Sequence, residues 1–366
     1  MKYKIVRYDG KEGKVRDFDR IGGASTNLDN ARVDDASSSA NLSVFFQRQL
    51  EYIESELNFV EYGELKSWKH IPIESKGGDN LWYTWRLFDK VGKWKFASDD
   101  ADDVPEVNIM GAELPVPIRM FTGGFKYNVR ELLAGKQATE NHPNQPSLQI
   151  ESQKAIAVFE AYQQFIDIMC WFADPTNPEY VGLTGVFYNP YISTVAAAAG
   201  ASHTYWFNSA GVLQKTPLEV LKDLNAMCTT VRNNTKDRYA IDTILMPIWH
   251  FNMLTTTPMS ETYPMETIMR FFLRNHPEIT TVDTLVAAES VPAGGNLASA
   301  TDVILGYKKD PSVVKIEISR QFTTLPIQER GFNYIVPCWA TTAGVITKKP
   351  KAMVMLTGTS LAHVGS

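Results

Sequence analysis

The chain has 366 residues, 44% of them hydrophobic and 21% charged, with a formal net charge of −5. That length predicts two or three lobes, each able to bury a sizeable core. The acidic balance argues against a dedicated nucleic-acid binder, though not against a protein that merely encloses nucleic acid.

Residues 1–40 are polar, rich in small side chains, and end on Asp34-Asp35-Ala36-Ser37-Ser38-Ser39. They read as an extended arm, too polar to bury a core alone. The opening MKYKIVRYDGKEGK lacks the apolar stretch of a signal peptide. Apolar residues then fall at 42, 45, 46, 50, 53 and 57, a helical spacing with Asn41 or Ser43 as cap.

In residues 66–104 the segment LWYTWRLFDKVGKWKFAS carries two β-rich runs around Asp89-Lys90-Val91-Gly92. It predicts a hairpin turning at that Gly-containing step. Trp82 and Phe88 share one face, and Tyr83, Trp85 and Leu87 share the other, so both faces need cover. Two readings remain open. The hairpin packs on its own domain, or it reaches out to a neighbouring subunit, as large aromatic patches do at interfaces.

Residues 147–172 carry apolar side chains at 148, 155, 158, 159, 162, 165, 166, 169 and 172. That stripe predicts a spine helix ended by Asp174-Pro175. A second helix is announced by Thr216 as cap, Pro217 at the first position and Glu219 in the first turn. A strand over 243–247 and a helix over 265–273 follow, then β-like runs at 284–288 and 302–307. Pro292-Ala293-Gly294-Gly295-Asn296 between the last two reads as an exposed loop. The tail is β-rich at 313–318, 333–346 and 351–356. The mixture of helices and strands, with one long helix and a late β return, predicts an α+β protein.

The motifs of common chemistries are missing. Gly358-Thr359-Ser360 continues Leu361-Ala362 and makes no nucleophile elbow, and Gly123-Gly124 lacks the spacing of a phosphate loop. None of His70, His142, His203, His250, His276 and His363 pairs with another at helical metal-ligand spacing. Asp99-Asp100-Ala101-Asp102-Asp103 does not continue as a calcium loop and reads as solvated. Gln328-Glu329-Arg330-Gly331 reads as a source of surface or intradomain ion pairs. Cys170, Cys228 and Cys338 lie far apart in apolar or helical surroundings and read as buried, reduced thiols. No apolar run is long enough to span a membrane. No catalytic residue, cofactor or metal is expected.

The order of elements resembles the Hong Kong 97-type major capsid protein of tailed bacteriophages. Four passages carry the resemblance: FFQRQLEYIESEL (45–57), DVPEVNIMGAELPVPIRMFTGGFKYNVREL (103–132), GLTGVFYNP (182–190) after the spine helix, and RGFNYIVPCWATTAGVITKKPKAM (330–353). The resemblance implies an N-terminal arm and arm helix at 1–65 and an extended β-hairpin loop at 66–104. It implies a peripheral domain at 105–190, completed by return strands at 317–356, an axial domain at 191–316, and a C-terminal tail at 357–366.

The implied function is a self-assembling shell of hexamers and pentamers around double-stranded DNA, in the virion, built in the host cytoplasm. An encapsulin-like nanocompartment shell is the alternative. The implied partners are other copies of the chain, a portal, and scaffolding or decoration proteins. DNA is enclosed without sequence-specific binding, and no membrane is involved. With Met1 at the start and an arm of about 40 residues, no cleaved scaffolding segment is expected. Lys90, Lys93 and Lys95 match no cross-linking pattern position by position, so non-covalent stabilisation is expected. The expected inter-subunit contacts are Trp82, Trp85 and Trp94.

Overall fold

The computed structural model describes residues 63–75, 77–96, 106–141, 150–180, 182–201, 203–208, 212–260, 265–290 and 302–360. The arm, the arm helix at 42–57, the acidic run at 99–103 and the loop at 292–296 lie outside the described residues. Apart from Asn141, everything described belongs to one of the chain's two compact units, residues 62–140 with 148–366.

The chain opens with α1 (Lys66–His70) and the short β1 (Ile73–Glu74). Two ten-residue strands follow, β2 (Trp82–Val91) and β3 (Asn108–Pro117). Next come β4 (Arg119–Asn128), α2 (Val129–Asn141) and α3 (Ile150–Phe172). The middle of the chain supplies β5 (Ser193–Ala196), α4 (Pro217–Thr235), β6 (Thr243–Met246), α5 (Ile248–Thr256), α6 (Ile268–Asn275) and β7 (Thr281–Thr284). It closes with β8 (Ile304–Tyr307), β9 (Val314–Thr324), β10 (Gln328–Arg330), β11 (Asn333–Thr347) and β12 (Met353–Thr357).

The spine helix forms because its apolar stripe has somewhere to go. Tyr162, Ile166, Met169, Cys170 and Trp171 are buried against β-strand residues such as Val314, Ile316 and Leu305. After Asp174, whose carboxylate accepts from the Thr176 amide, the chain doubles back. The amides of Gly185, Val186 and Phe187 donate to the carbonyls of Ala173, Cys170 and Trp171 at 2.7, 2.9 and 3.2 Å. The GLTGVFYNP turn therefore satisfies carbonyls that a helix C-terminus would otherwise leave orphaned.

One five-stranded sheet runs β1-β9-β11-β10, with β4 also paired to β11. A second runs β5-β12-β8-β6-β7. Its central strands are buried on both faces, so they read as unbroken apolar runs. Alternate residues still face opposite sides. Leu245, Leu305 and Met355 join the core shared with α3, while Ile244, Ile304, Val354 and Leu356 join a core under α4. In α4, Thr216 and Glu219 form a reciprocal capping box ahead of Pro217.

Four expectations change. Residues 66–74, expected within the hairpin loop at 66–104, do not join the hairpin: α1 docks on α3 through Ser67 N to Asp167 (2.8 Å) and Trp68 Nε1 to the Gln163 carbonyl (3.3 Å), and β1 pairs with β9. The strand β12, expected among the returns at 317–356, pairs instead with β5 and β8 of the second sheet. The run at 284–288 is the end of β7 and then a 3-10 turn, Val286–Ala288, while α5 was not foreseen. The fourth change concerns the hairpin.

Candidate assembly interface

The strand β2 does not turn at Asp89–Gly92. It runs straight through Asp89, Lys90 and Val91 and pairs along its whole length with β3, from Trp82↔Pro117 to Val91↔Asn108. The partner of the aromatic run is thus residues 108–117, not 93–98, and the hairpin extends into the range expected for the peripheral domain. Among the described residues no other strand joins this two-stranded sheet.

Register decides what each face carries, since directly opposed residues point the same way. One face holds Trp82, Phe88, Ile109 and the Arg86–Glu113 ion pair, whose contact is 2.8 Å. Both partners of that pair are exposed, so it adds little stability. The other face holds Tyr83, Trp85, Leu87, Leu114, Val116 and Met110, an almost continuous apolar strip. Phe88 lies over Gly111, where an added Cβ would stand 3.2 Å from the ring.

Almost nothing covers either face. Trp82 is 59% exposed and Phe88 64%, and Ile109, Met110 and Leu87 are exposed as well. Trp94, beyond the ladder, is 95% exposed. Trp85 is half-buried and tilts against Tyr83, with ring centroids 6.2 Å apart. The three predicted tryptophans therefore do not form one patch: Trp82 and Trp85 point to opposite faces and Trp94 lies past the end of both strands. The apolar residues of β3 were missed because the partner strand was misplaced. The signal was present as two equal runs, 82–91 and 108–117, flanking an acidic stretch.

Among the described residues the hairpin's anchoring contacts lie at its root. Ile118 N donates to the Leu81 carbonyl at 2.9 Å. Below it the ammonium group of Lys315, wholly buried, bonds Glu317 and Glu74 and stands 4.9 Å from the Tyr83 ring centroid. Burial alone would lower the Lys315 pKa, but hydrogen bonds to Glu317, Glu74 and Tyr83 raise it above its ordinary value. A charged, triply held lysine thus fixes the point where the hairpin leaves the body.

A second apolar surface lies on the body. Ile156, Phe159 and Phe165 are exposed on α3. Beside them a cavity of about 420 Å³ opens between α3 and the β4–β11 pair, lined by Gly123, Gly124, Ala157, Ala161, Phe165 and Trp339 among others.

Among the described residues no three or more His, Cys, Asp or Glu side chains converge to hold a metal. Cys170, Cys228 and Cys338 are free and buried, and burial pushes the Cys228 thiol up to about 12. His70 and His276 are occupied by Asp283 and by Asn225 with Glu278. Among the described residues no helix is long and apolar enough to cross a membrane.

Comparison with known proteins points one way. The profile of the major capsid protein family matches residues 92–359. No curated protein matches the sequence. Among solved structures, the capsid of Myoviridae phage XM1 superposes with a TM-score of 0.70 at 19% identity, over 87% of this chain and all of that one. Mycobacterium phage Adephagia gives 0.52 at 10% identity, over 87% of this chain and 98% of that one. The mature capsid of bacteriophage PhiM1 gives 0.52 at 9% identity, over 92% and 98%. At these identities the likeness shows the α+β fold.

Proposed function

This chain belongs to the major capsid protein family, and from that premise we propose that its copies form hexamers and pentamers which close an icosahedral phage head around double-stranded DNA. It is a structural shell protein of the tailed-phage type, not an enzyme. The family match favours this reading over an encapsulin-like nanocompartment. The finer assignments are part of the proposal: the first sheet with α3 as peripheral domain, the second with α4–α6 as axial domain around the symmetry axes, and β2–β3 as the extended loop. So are a portal, scaffolding or decoration proteins as further partners, assembly in the host cytoplasm, and DNA held without sequence-specific binding.

The observation that carries the reading is the hairpin. An isolated two-stranded ribbon is marginal in water, and this one shows apolar side chains on both faces. Packing on a neighbour removes that surface from water, and the exposed strip of α3 with its apolar cavity is the surface proposed to receive it. Each contact is repeated around a closed ring, so modest interfaces sum to a stable shell. Trp82, Trp85 and Trp94 supply the anchors, Trp82 and Trp85 to different sides of the ribbon.

Trp85→Ala tests this. Truncating one such anchor costs about 2 kcal/mol or more per contact. The expected outcome is a loss of closed particles by electron microscopy, with the circular dichroism and melting of the unassembled subunit retained. Normal particle yield from the variant would count against the assignment.

A further inference from the structure

The chain crosses between its two larger sheets three times, once through α2 and α3 and twice by short segments, and the two short crossings lie side by side. Residues 308–313 lead from β8 to β9, and residues 348–352 lead from β11 to β12. Lys348 N donates to the Val313 carbonyl at 2.8 Å, and Lys308 N to the Ala352 carbonyl at 3.4 Å. The turn after α4 closes over them, with Lys309 N donating to Asp242 Oδ1 at 2.7 Å.

Cations collect at this junction. Some are neutralised: Lys308 pairs with Asp242 at 2.9 Å, and Lys69 with Asp283 at 2.9 Å and Glu64 at 3.3 Å. Asp310 accepts from the Ser312 amide at 2.6 Å, and that bond, with Lys349 and Lys308 nearby, holds its carboxyl below its ordinary pKa. Lys309, Lys348 and Lys349 are different. Their ammonium groups rest on neutral oxygens: the Lys69 carbonyl (2.7 Å), the Pro311 carbonyl (3.3 Å), and the hydroxyls of Tyr239 (2.5 Å) and Ser312 (3.5 Å). Such contacts orient a positive group without cancelling its charge. Arg238 joins them across the Tyr239 ring, 5.8 Å from its centroid, with Lys349 4.8 Å away. The hydrogen bond from Lys349 leads the causes that hold the Tyr239 phenol below its ordinary pKa. A chain of net charge −5 therefore displays a positive junction.

The chemistry of the surroundings selects the partner. Among the described residues, none of segments 236–242, 308–313 and 348–352 carries an exposed large hydrophobic side chain. A protein partner would need an apolar centre there, whereas a phosphodiester backbone needs only fixed positive charges. We propose that this double crossover is a phosphate-contacting patch, in which Lys309, Lys348 and Lys349, flanked by Arg238, touch the backbone of enclosed DNA. The inference rests on the shell reading for the presence of DNA, and its chemistry is tested apart from it.

The test is fluorescence anisotropy of the unassembled full chain with a mixed-sequence duplex of about 30 base pairs, between about 50 and 200 mM salt. The wild type is expected to bind weakly and with a clear salt dependence. K309Q/K348Q/K349Q should bind about tenfold or more weakly, with the slope of log K against log salt reduced by roughly 2 to 3. K309R/K348R/K349R should restore binding, and K90Q/K93Q/K95Q on the hairpin side should leave it unchanged. A wild type that binds no duplex, or a glutamine variant that binds as well as the wild type, overturns the proposal. So does a glutamine variant that fails to form shells while the wild type ignores DNA, because the patch is then a contact between copies. Shells imaged in parallel keep the two questions apart: normal shells with no duplex binding end this inference and leave the shell reading intact.

Discussion

At the scale of single residues, two positions are dictated by backbone and charge. Gly185 sits where the chain returns across the end of the spine helix, and a Cβ there would stand 2.6 Å from Ala173 N and 2.7 Å from the Trp171 carbonyl. Both are backbone atoms, so relief requires moving the helix end. Gly185→Ala should destabilise the subunit by about 1–3 kcal/mol, read as a lowered melting temperature, and an unchanged melt would refute the close approach. Asp283 gathers Lys69 (2.9 Å), Lys66 (3.2 Å) and His70 (2.9 Å), tying α1 to the second sheet. Burial alone would raise the Asp283 pKa, but hydrogen bonds from Lys69, Thr284 N, Lys66 and His70 hold it well below the ordinary value. A carboxylate depressed in the folded state binds fewer protons folded than unfolded. Its stabilisation is complete above about pH 4 and is lost as pH falls further. Asp283→Asn should cost about 1–3 kcal/mol at neutral pH and flatten the acid limb of stability against pH. An equally steep acid limb in the variant would refute this account.

At the scale of elements, what was legible was what is local. The spine helix and α4 could be read from periodicity, from Asp174-Pro175 and from the Thr216–Glu219 box, because those signals lie within the element they define. The assignment of Trp82 and Trp85 to opposite faces also held, since the two-residue period of a strand is local too. Pairing is not local. The aromatic run was closed on residues 93–98 by a nearby glycine, whereas its partner lies beyond the acidic stretch at 108–117. That one error hid Ile109 and Met110 from the candidate interface. The destination of β12 was illegible for the same reason, since a fully apolar strand fits either sheet. The basic junction was hidden differently: its lysines come from separate segments, and a net charge averages them away. For the hairpin, sparse burial has a dynamic consequence. In unassembled subunits the amides of β2 and β3 should exchange with solvent far faster than those of β6, β8 and β12, and they should become protected in closed shells. Equal protection before and after assembly would mean that no neighbour covers the ribbon.

At the scale of the whole molecule, the described residues divide into a body of two packed sheets and a ribbon that the other described residues leave largely uncovered. The body has the cores of an ordinary α+β protein, on both faces of its second sheet. Under the proposed function another copy supplies the missing layer, and the chain's membership of the major capsid protein family is what motivates that proposal. The most direct test is electron microscopy of the purified full-length wild-type chain, concentrated under assembly conditions. The account predicts closed polyhedral shells or their five- and six-membered rings, with the ribbon of each subunit lying on its neighbour. A uniform population of single subunits, with the ribbon free in solution at every concentration, would contradict it.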